Sequence, residues 1–242
     1  GTGKTSTVVE LLRRAEALHP DLRIGLAAPT GKAARRLGDA VLASRAPLPC
    51  STLHRWLESG ARGFGRGVDR PLDLDLLVID EMSMLDLALT RALIAALPKG
   101  CRLVLVGDPA QLPPVGSGAV WHRLQQDDVR PRFGDGAVHL VQTYRNRGAL
   151  ATLAAALRDG GMTAFCGAID TLPIDGNVQL HRGSPWRLPS LVRQRWRERL
   201  ERLSALAEGL DRCEAGHLAT EAQPLLEAVE ADLVLCPRRR GP

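Results

Sequence analysis

"LLVIDEMSM", running from Leu76 to Met84, sets four apolar residues in a row and ends them with two acids. An unbroken apolar run of this length, stopped by polar residues, is the pattern of a strand buried on both faces, as in a parallel sheet. "CRLVLVGD" (101–108) has the same shape, and a helical stretch from about Asp86 to Leu97 lies between the two. Upstream, "LRIGLAA" (22–28) reads as another short buried strand. It is flanked by helical periodicity in "TSTVVELLRRAEALH", with Val8, Val9, Leu11, Leu12, Ala15 and Leu18 on one face, and in "GKAARRLGDAVLASR". Strands alternating with helices predict an α/β fold with a parallel sheet covered on both faces. Ligands of such sheets bind at the carboxyl ends of the strands, where Pro29, Asp80 and Asp108 fall.

The first residues, "GTGKTST", supply the last positions of a phosphate-cradling loop of the form G-x-x-x-x-G-K-[ST], with Gly3, Lys4 and Thr5 as its close. The loop's first glycine and its feeding strand would lie before residue 1, and there is no initiator Met, so the chain is expected to be a piece of a longer protein. In such a loop, backbone N–H groups at a helix N-terminus face the phosphates, Lys4 neutralises the β and γ charges, and Thr5 offers a hydroxyl to Mg²⁺. The alternative reading is a Gly-rich turn with a surface lysine. Asp80 then delivers a carboxylate to the Mg²⁺ shell, and Glu81 beside it can act as general base toward an attacking water. The alternative here is an ordinary strand followed by an acidic helix cap. In "VGDPAQLPPVGSG" (106–118), a loop stiffened by Pro109, Pro113 and Pro114 would hold the Gln111 amide near the γ-phosphate.

The chain has 242 residues, 45% of them hydrophobic, enough for one large domain or two smaller ones with a sizeable core. No apolar run approaches the length of about 18 residues that spans a bilayer, and a cytoplasmic location is expected. The five cysteines, Cys50, Cys101, Cys166, Cys213 and Cys236, form no C-x-x-C pair, against a zinc site or disulfide framework, and read as buried free thiols. A net charge of +5, carried mainly by arginine, permits a polyanion partner without requiring one. With aromatics at 3%, a row of stacked bases is disfavoured, and nucleic-acid binding would lean on phosphate contacts.

Taken in order, "GTGKTST", "AAPTGKAARRL", "STLHRWL", "VIDEMSML", "VGDPAQLPPVGSG" and "VQTYRNRG" resemble motifs I, Ia, Ib, II, III and IV of superfamily 1 helicases, most closely the RecD group, the exodeoxyribonuclease V alpha subunit. The resemblance is dense over residues 1–150 and thin beyond, although "DLVLCPRRRGP" is also similar to a RecD segment. It implies a RecA-like P-loop NTPase domain over 1–141 with a short insert at about 58–74, and part of a second RecA-like domain over 142–242. It implies an ATP hydrolase coupled to translocation on single-stranded DNA and unwinding at a duplex fork, of 5′ to 3′ polarity, with ATP and Mg²⁺ as cofactors. RecB- and RecC-like subunits are the partners implied if the protein works in that complex, with roles in recombination and repair.

By the same resemblance, Gly1, Thr2, Gly3, Lys4 and Thr5 bind the triphosphate, Asp80 and Glu81 serve metal and water, and Gln111 links the nucleotide to the DNA site. Arg145 would reach the γ-phosphate from the second domain, and Tyr144, the only tyrosine, would stack on adenine; an interdomain packing pair is the alternative. Thr30, Gly31, Lys32, Thr52 and His54 stand where the family touches the single strand, although His54 also fits a structural role. Thr and His can hydrogen-bond to phosphate oxygens and Lys32 can neutralise one. The insert "ESGARGFGRGVDRP" interleaves glycines with Arg62, Arg66 and Arg70. It is either a pin-like hairpin near the fork, as in RecD-like helicases, or a mobile cationic loop. The helix "PSLVRQRWRERLERLSAL" reads as a core stripe of Val192, Trp196, Leu200 and Leu203 with a solvated surface, a partner-subunit surface being the second reading. Two other classes remain open: a P-loop ATPase that remodels RNA or protein, and a non-enzymatic subunit that only binds partners. The chain alone is expected to be inactive, lacking the start of the loop and the motifs V and VI expected after residue 242.

Overall fold

The computed structural model describes residues 3–44, 47–140, 148–173, 178, 180, 189–211 and 222–231. In chain order these form α1 (Lys4–Leu18), β1 (Ile24–Ala28), α2 (Gly31–Leu42), β2 (Cys50–Thr52), α3 (Leu53–Trp56), β3 (Ser59–Gly60), β4 (Gly63–Phe64) and β5 (Leu76–Ile79). There follow α4 (Leu87–Ala96), β6 (Arg102–Leu105), α5 (Val120–Leu124), α6 (Ala149–Asp170), α7 (Ser190–Asp211) and α8 (Gln223–Ala231).

The sheet is parallel throughout, in the order β2-β1-β5-β6. Its register sets Ala28 beside Thr52, Ala27 beside Ile79, and Ile79 beside Leu105. The strands therefore stop nearly level, and the segments that follow them leave from one edge. Successive side chains of a strand point to opposite faces, and the two cores divide accordingly. Ile24, Leu26, Leu76 and Val78 pack with Val8 and Leu12 of α1 and Leu37 and Val41 of α2. Ala27, Leu77 and Ile79 pack with Leu89, Leu93 and Ala96 of α4 and with Leu53 and Leu57. This is the expected α/β layering of a RecA-like fold. β6 lies at the edge of the described sheet, and Leu103, Val104 and Leu105 are half-buried there while β5 is fully buried.

At the amino end of the strands, Arg23 bridges Asp75 and Asp73, donating through Nη2 to Asp75 at 2.7 Å. That guanidinium holds the Asp75 carboxyl far below the usual carboxylate range.

Of the two readings of the insert, the structure has the hairpin, antiparallel with Ser59 opposite Phe64 and Gly60 opposite Gly63. Two helices differ from expectation. The first long helix after the site continues from Ala149 to Asp170, whereas the pattern predicts an end near residue 158. Gly161 does break it, at φ 66°, but the chain re-enters a helix at once. On α7, Trp196 and Leu200 are exposed rather than buried in a core; the Arg199 guanidinium lies 4.8 Å from the Trp196 ring centre and donates to the Val229 carbonyl at 2.7 Å. The cysteines differ as well: Cys50 and Cys101 are half-buried, with thiols pushed up by desolvation, and Cys166 is exposed.

The chain divides into two compact units, Gly1–Thr171 and Leu172–Pro242. This division follows compactness and comes after α6, later than the boundary after residue 141 expected from the sequence.

Candidate active site

Every described candidate lies at the carboxyl edge of the sheet, on a segment leaving β1, β2, β5 or β6 or at the start of α1. Gly3 takes the left-handed conformation at the N-cap of α1, φ 78°, which glycine adopts without strain. Lys4 and Thr5 are then the first two residues of that helix, both half-buried. The first N–H groups of a helix have no partner within it, and with the helix dipole they favour an anion.

Lys4 Nζ reaches across to Asp108 Oδ2 at 3.5 Å, so the residues after β6 face the start of α1. Asp108 also organises its own loop: Oδ1 accepts from the Ala110 N–H at 3.0 Å and its carbonyl from the Gln111 N–H at 3.2 Å.

Asp80 and Glu81 follow β5 directly. The Glu81 N–H donates to Asp80 Oδ1 at 2.8 Å, which fixes that carboxylate and leaves its other oxygen unclaimed by this bond. Glu81 is left-handed, φ 55°, a conformation that costs a residue with a side chain about 1–3 kcal/mol. Its Oε2 is buried and has no hydrogen-bond partner. An unsatisfied buried carboxylate oxygen on a strained residue, at the end of a central strand, is an acceptor without its donor.

Met82–Met84 form a single 3₁₀ turn, and Asp86 caps α4 by accepting from the Leu89 N–H at 2.8 Å. The loop after β6 lies against this turn and the start of α4. Ser83 Oγ donates to Gln111 Oε1 at 2.9 Å, and the Leu87 N–H donates to the Ser117 carbonyl at 3.0 Å. At Gly116 a Cβ would come within 2.3 Å of Asp86 Oδ2, so only glycine permits the approach.

The candidates for DNA contact sit further along the same edge. Thr30 caps α2, its Oγ1 accepting from the Ala33 N–H, with Gly31 and Lys32 exposed at the helix start. Thr52 caps α3 by accepting from the Arg55 N–H at 3.3 Å, and His54 is exposed on that turn. Both threonines thus also serve the fold, since each supplies a helix cap. Gly1, Thr2, Tyr144 and Arg145 lie outside the described residues.

Sequence reasoning left two participants unassigned. Asp108 was legible as a strand-ending acid, but its pairing with Lys4 needs the sheet order. Ser83 stands inside the opening stretch and carries no pattern of its own. Among the described residues no cluster of three or more His, Cys, Asp and Glu could hold a metal ion. The oxygens of Thr5 and Asp80 instead suit a hard cation that takes few protein ligands.

Residues 1–117 match the family model of an AAA domain. The chain is 43% identical over 145 residues to the ATP-dependent RecD2 DNA helicase of Deinococcus radiodurans, covering 60% of this chain and 18% of that protein. It is 40% identical over 164 residues to the RecBCD enzyme subunit RecD of Haemophilus influenzae, covering 59% of this chain and 25% of that one. To the RecBCD enzyme subunit RecD of Mycobacterium tuberculosis it is 40% identical over 187 residues, 70% of this chain and 32% of that one. The chain therefore spans about a third or less of the length of these relatives. A solved Pif1 helicase from Bacteroides, in complex with ADP-AlF3 and ssDNA, aligns with 84% of this chain and 51% of its own at 19% identity and a TM-score of 0.45. Over the matched stretch the chain is similar in sequence to RecD proteins, and residues 1–117, which match the AAA domain model, include the candidate phosphate-loop residues, the strand-ending acids and Gln111.

Proposed function

We propose that this chain is the ATP-hydrolysing part of a RecD-like DNA helicase that moves along single-stranded DNA and opens a duplex fork. The observation that carries the reading is Glu81: a buried, unpartnered carboxylate oxygen on a left-handed residue, next to Asp80 and at the same sheet edge as Lys4.

The residues divide the chemistry. Lys4 exchanges its contact with Asp108 for the β- and γ-phosphates, whose charge exceeds that of one carboxylate. Gly3 and the opening N–H groups of α1 cradle the phosphates, and Gly1 and Thr2 belong to the same loop. Glu81 Oε2 takes a proton from the attacking water, and Gln111 donates to the γ-phosphate. The donors fit Mg²⁺: Thr5 and Asp80 would hold it, and when bound it offsets the charge of the phosphates. Arg145 stabilises charge on the γ-phosphate, and Tyr144 stacks on adenine, as the resemblance implies. Thr30, Gly31, Lys32, Thr52 and His54 meet the DNA backbone along the same edge.

Residues 142–242 belong, in this reading, to a second RecA-like domain. One relative is a RecD2 helicase and two are RecBCD subunits, so both a free-standing helicase and a subunit beside RecB- and RecC-like partners are consistent. The protein acts in the cytoplasm with 5′ to 3′ polarity; no helix among the described residues is long and apolar enough to cross a membrane.

The test is Glu81→Gln in the full-length protein. The amide fills the same space without accepting the proton, so ssDNA-stimulated ATP turnover should fall by about 10²–10⁴ while nucleotide binding persists. Normal turnover would remove Glu81 from the mechanism and the reading with it.

A further inference from the structure

Ser83 is the one fully buried polar residue among those described, and its hydroxyl contacts Gln111, twenty-eight positions away on the exposed loop after β6. A carboxamide has an accepting oxygen at one end and a donating NH₂ at the other. On an exposed loop, nothing intrinsic to a glutamine decides which end points where. The Ser83 hydroxyl donates to Oε1 at 2.9 Å and so claims the accepting end. Both Nε2 hydrogens are then left to face away from the turn.

We infer that Ser83 is a positioning residue that fixes the polarity of the Gln111 amide, so that it meets a phosphate oxygen as a donor. The inference rests on the ATP-hydrolase reading, in which Gln111 faces the γ-phosphate. Reversed, the amide would turn its oxygen toward phosphate and repel it.

Three features make the serine suited to this. It sits on a 3₁₀ turn held between β5 and the Asp86 cap of α4, so its Oγ has little freedom. The loop bearing Gln111 is tied at both ends, by the Asp108 contacts and by the bond from the Leu87 N–H to the Ser117 carbonyl, so the amide is already near the hydroxyl. The same turn follows directly on Glu81. The proton acceptor and the phosphate donor are thus set by one four-residue stretch, and a shift of Glu81 would carry the Gln111 orientation with it.

The experiment is a double-mutant cycle in the full-length protein, reading kcat and KM for ATP with saturating ssDNA, together with melting temperature. Ser83→Ala removes only the hydroxyl and leaves an exposed amide able to turn to solvent, so the fold should persist. Expected are a fall of about 10-fold in kcat, a KM changed less than about 2-fold, and a near-unchanged melting temperature. Gln111→Ala should lower kcat at least as much, and the double variant should be no worse than Gln111→Ala, since the serine acts only through the amide. Gln111→Glu keeps an acceptor for Ser83 and loses the donor, so it should be as slow as Gln111→Ala. Wild-type kcat in Ser83→Ala, multiplicative losses in the double variant, or an active Gln111→Glu would each overturn the inference. Glu81→Gln measured alongside separates the two levels: if it is inactive while Ser83→Ala is normal, only the positioning role fails, and if it turns over normally, the hydrolase reading fails first.

Discussion

The turn after β5 and the hairpin formed by β3 and β4 are both short, both follow an element of the first unit, and both are entered through a left-handed glutamate, Glu81 at φ 55° and Glu58 at φ 52°. They are held by opposite means. Around Glu81 the chain is fixed from beneath by Met82 and Leu85, both buried, and by backbone bonds such as that from the Met82 N–H to the Val106 carbonyl at 2.9 Å. Around Glu58 backbone bonds such as that from the Gly65 N–H to the Leu57 carbonyl at 3.0 Å are joined by side-chain fixing at the surface. Its Oε1 accepts from Arg66 Nε at 2.8 Å and its Oε2 from Arg70 Nη1 at 2.6 Å, while Arg66 Nη1 also donates to the Pro71 carbonyl at 3.1 Å. Burial positions the chemistry and is indifferent to salt; exposed ion pairs position the hairpin and are sensitive to salt and acid.

The largest break in this comparison should come from the core. Leu77 is fully buried against α4, and Leu77→Ala should destabilise the protein by about 2–5 kcal/mol, read by denaturant unfolding. Phe64, on the hairpin and 40% exposed, should change stability by less than about 0.5 kcal/mol when replaced by Ala. Equal losses at the two sites would erase the distinction.

A smaller, local effect should follow pH. Desolvation pushes the Glu58 carboxyl up, but the bonds and charges of Arg66 and Arg70 outweigh it and hold the group below its ordinary value. A carboxylate lowered in the folded state contributes stability that is present above its unfolded pKa and is lost as pH falls through the folded value. Hydrogen-exchange protection of the hairpin amides should therefore be full near neutrality and decline below about pH 4, where carboxylates protonate, while amides of β5 keep theirs. Hairpin protection that persists in acid would show that the ion pairs do not hold it.

The smallest effect concerns salt. Arg66 and Arg70 are engaged by Glu58, whereas Arg62, at the hairpin tip, is exposed and in no ion pair among the described residues. If the hairpin meets the DNA backbone, Arg62→Ala should reduce the slope of log affinity against log salt by about one. Arg66→Ala should act chiefly through loss of hairpin order. An unchanged slope in Arg62→Ala would leave the tip clear of the phosphates.

Legibility in the sequence follows the same division. The strands at 24–28, 76–79 and 102–105 and the helices beside them were readable because burial writes an apolar period into the chain. Strand-ending acids and the Gly-Lys-Thr turn were readable as candidates because a phosphate-binding loop calls for those types at those places. β2, of three residues, was too short to show a period. The hairpin was left open between pin and loose loop, because its order comes from Glu58 at the start of the insert, which meets Arg66 and Arg70 only once the chain has folded back. Ser83 and the Lys4–Asp108 contact depend on which strands are neighbours, a property no local window contains.

The left-handed backbone at Glu81 sets thermal selection against activity at a single codon. An asparagine there would accept the conformation more readily and would remove the buried orphan oxygen. A screen that ranks variants by survival on heating would enrich Glu81→Asn and related replacements, and each of them would lack the carboxylate proposed as the proton acceptor. Directed improvement of this protein's robustness therefore has to hold that position fixed, and a naturally hardy sequence with another residue there would be a candidate for a homologue that has given up turnover.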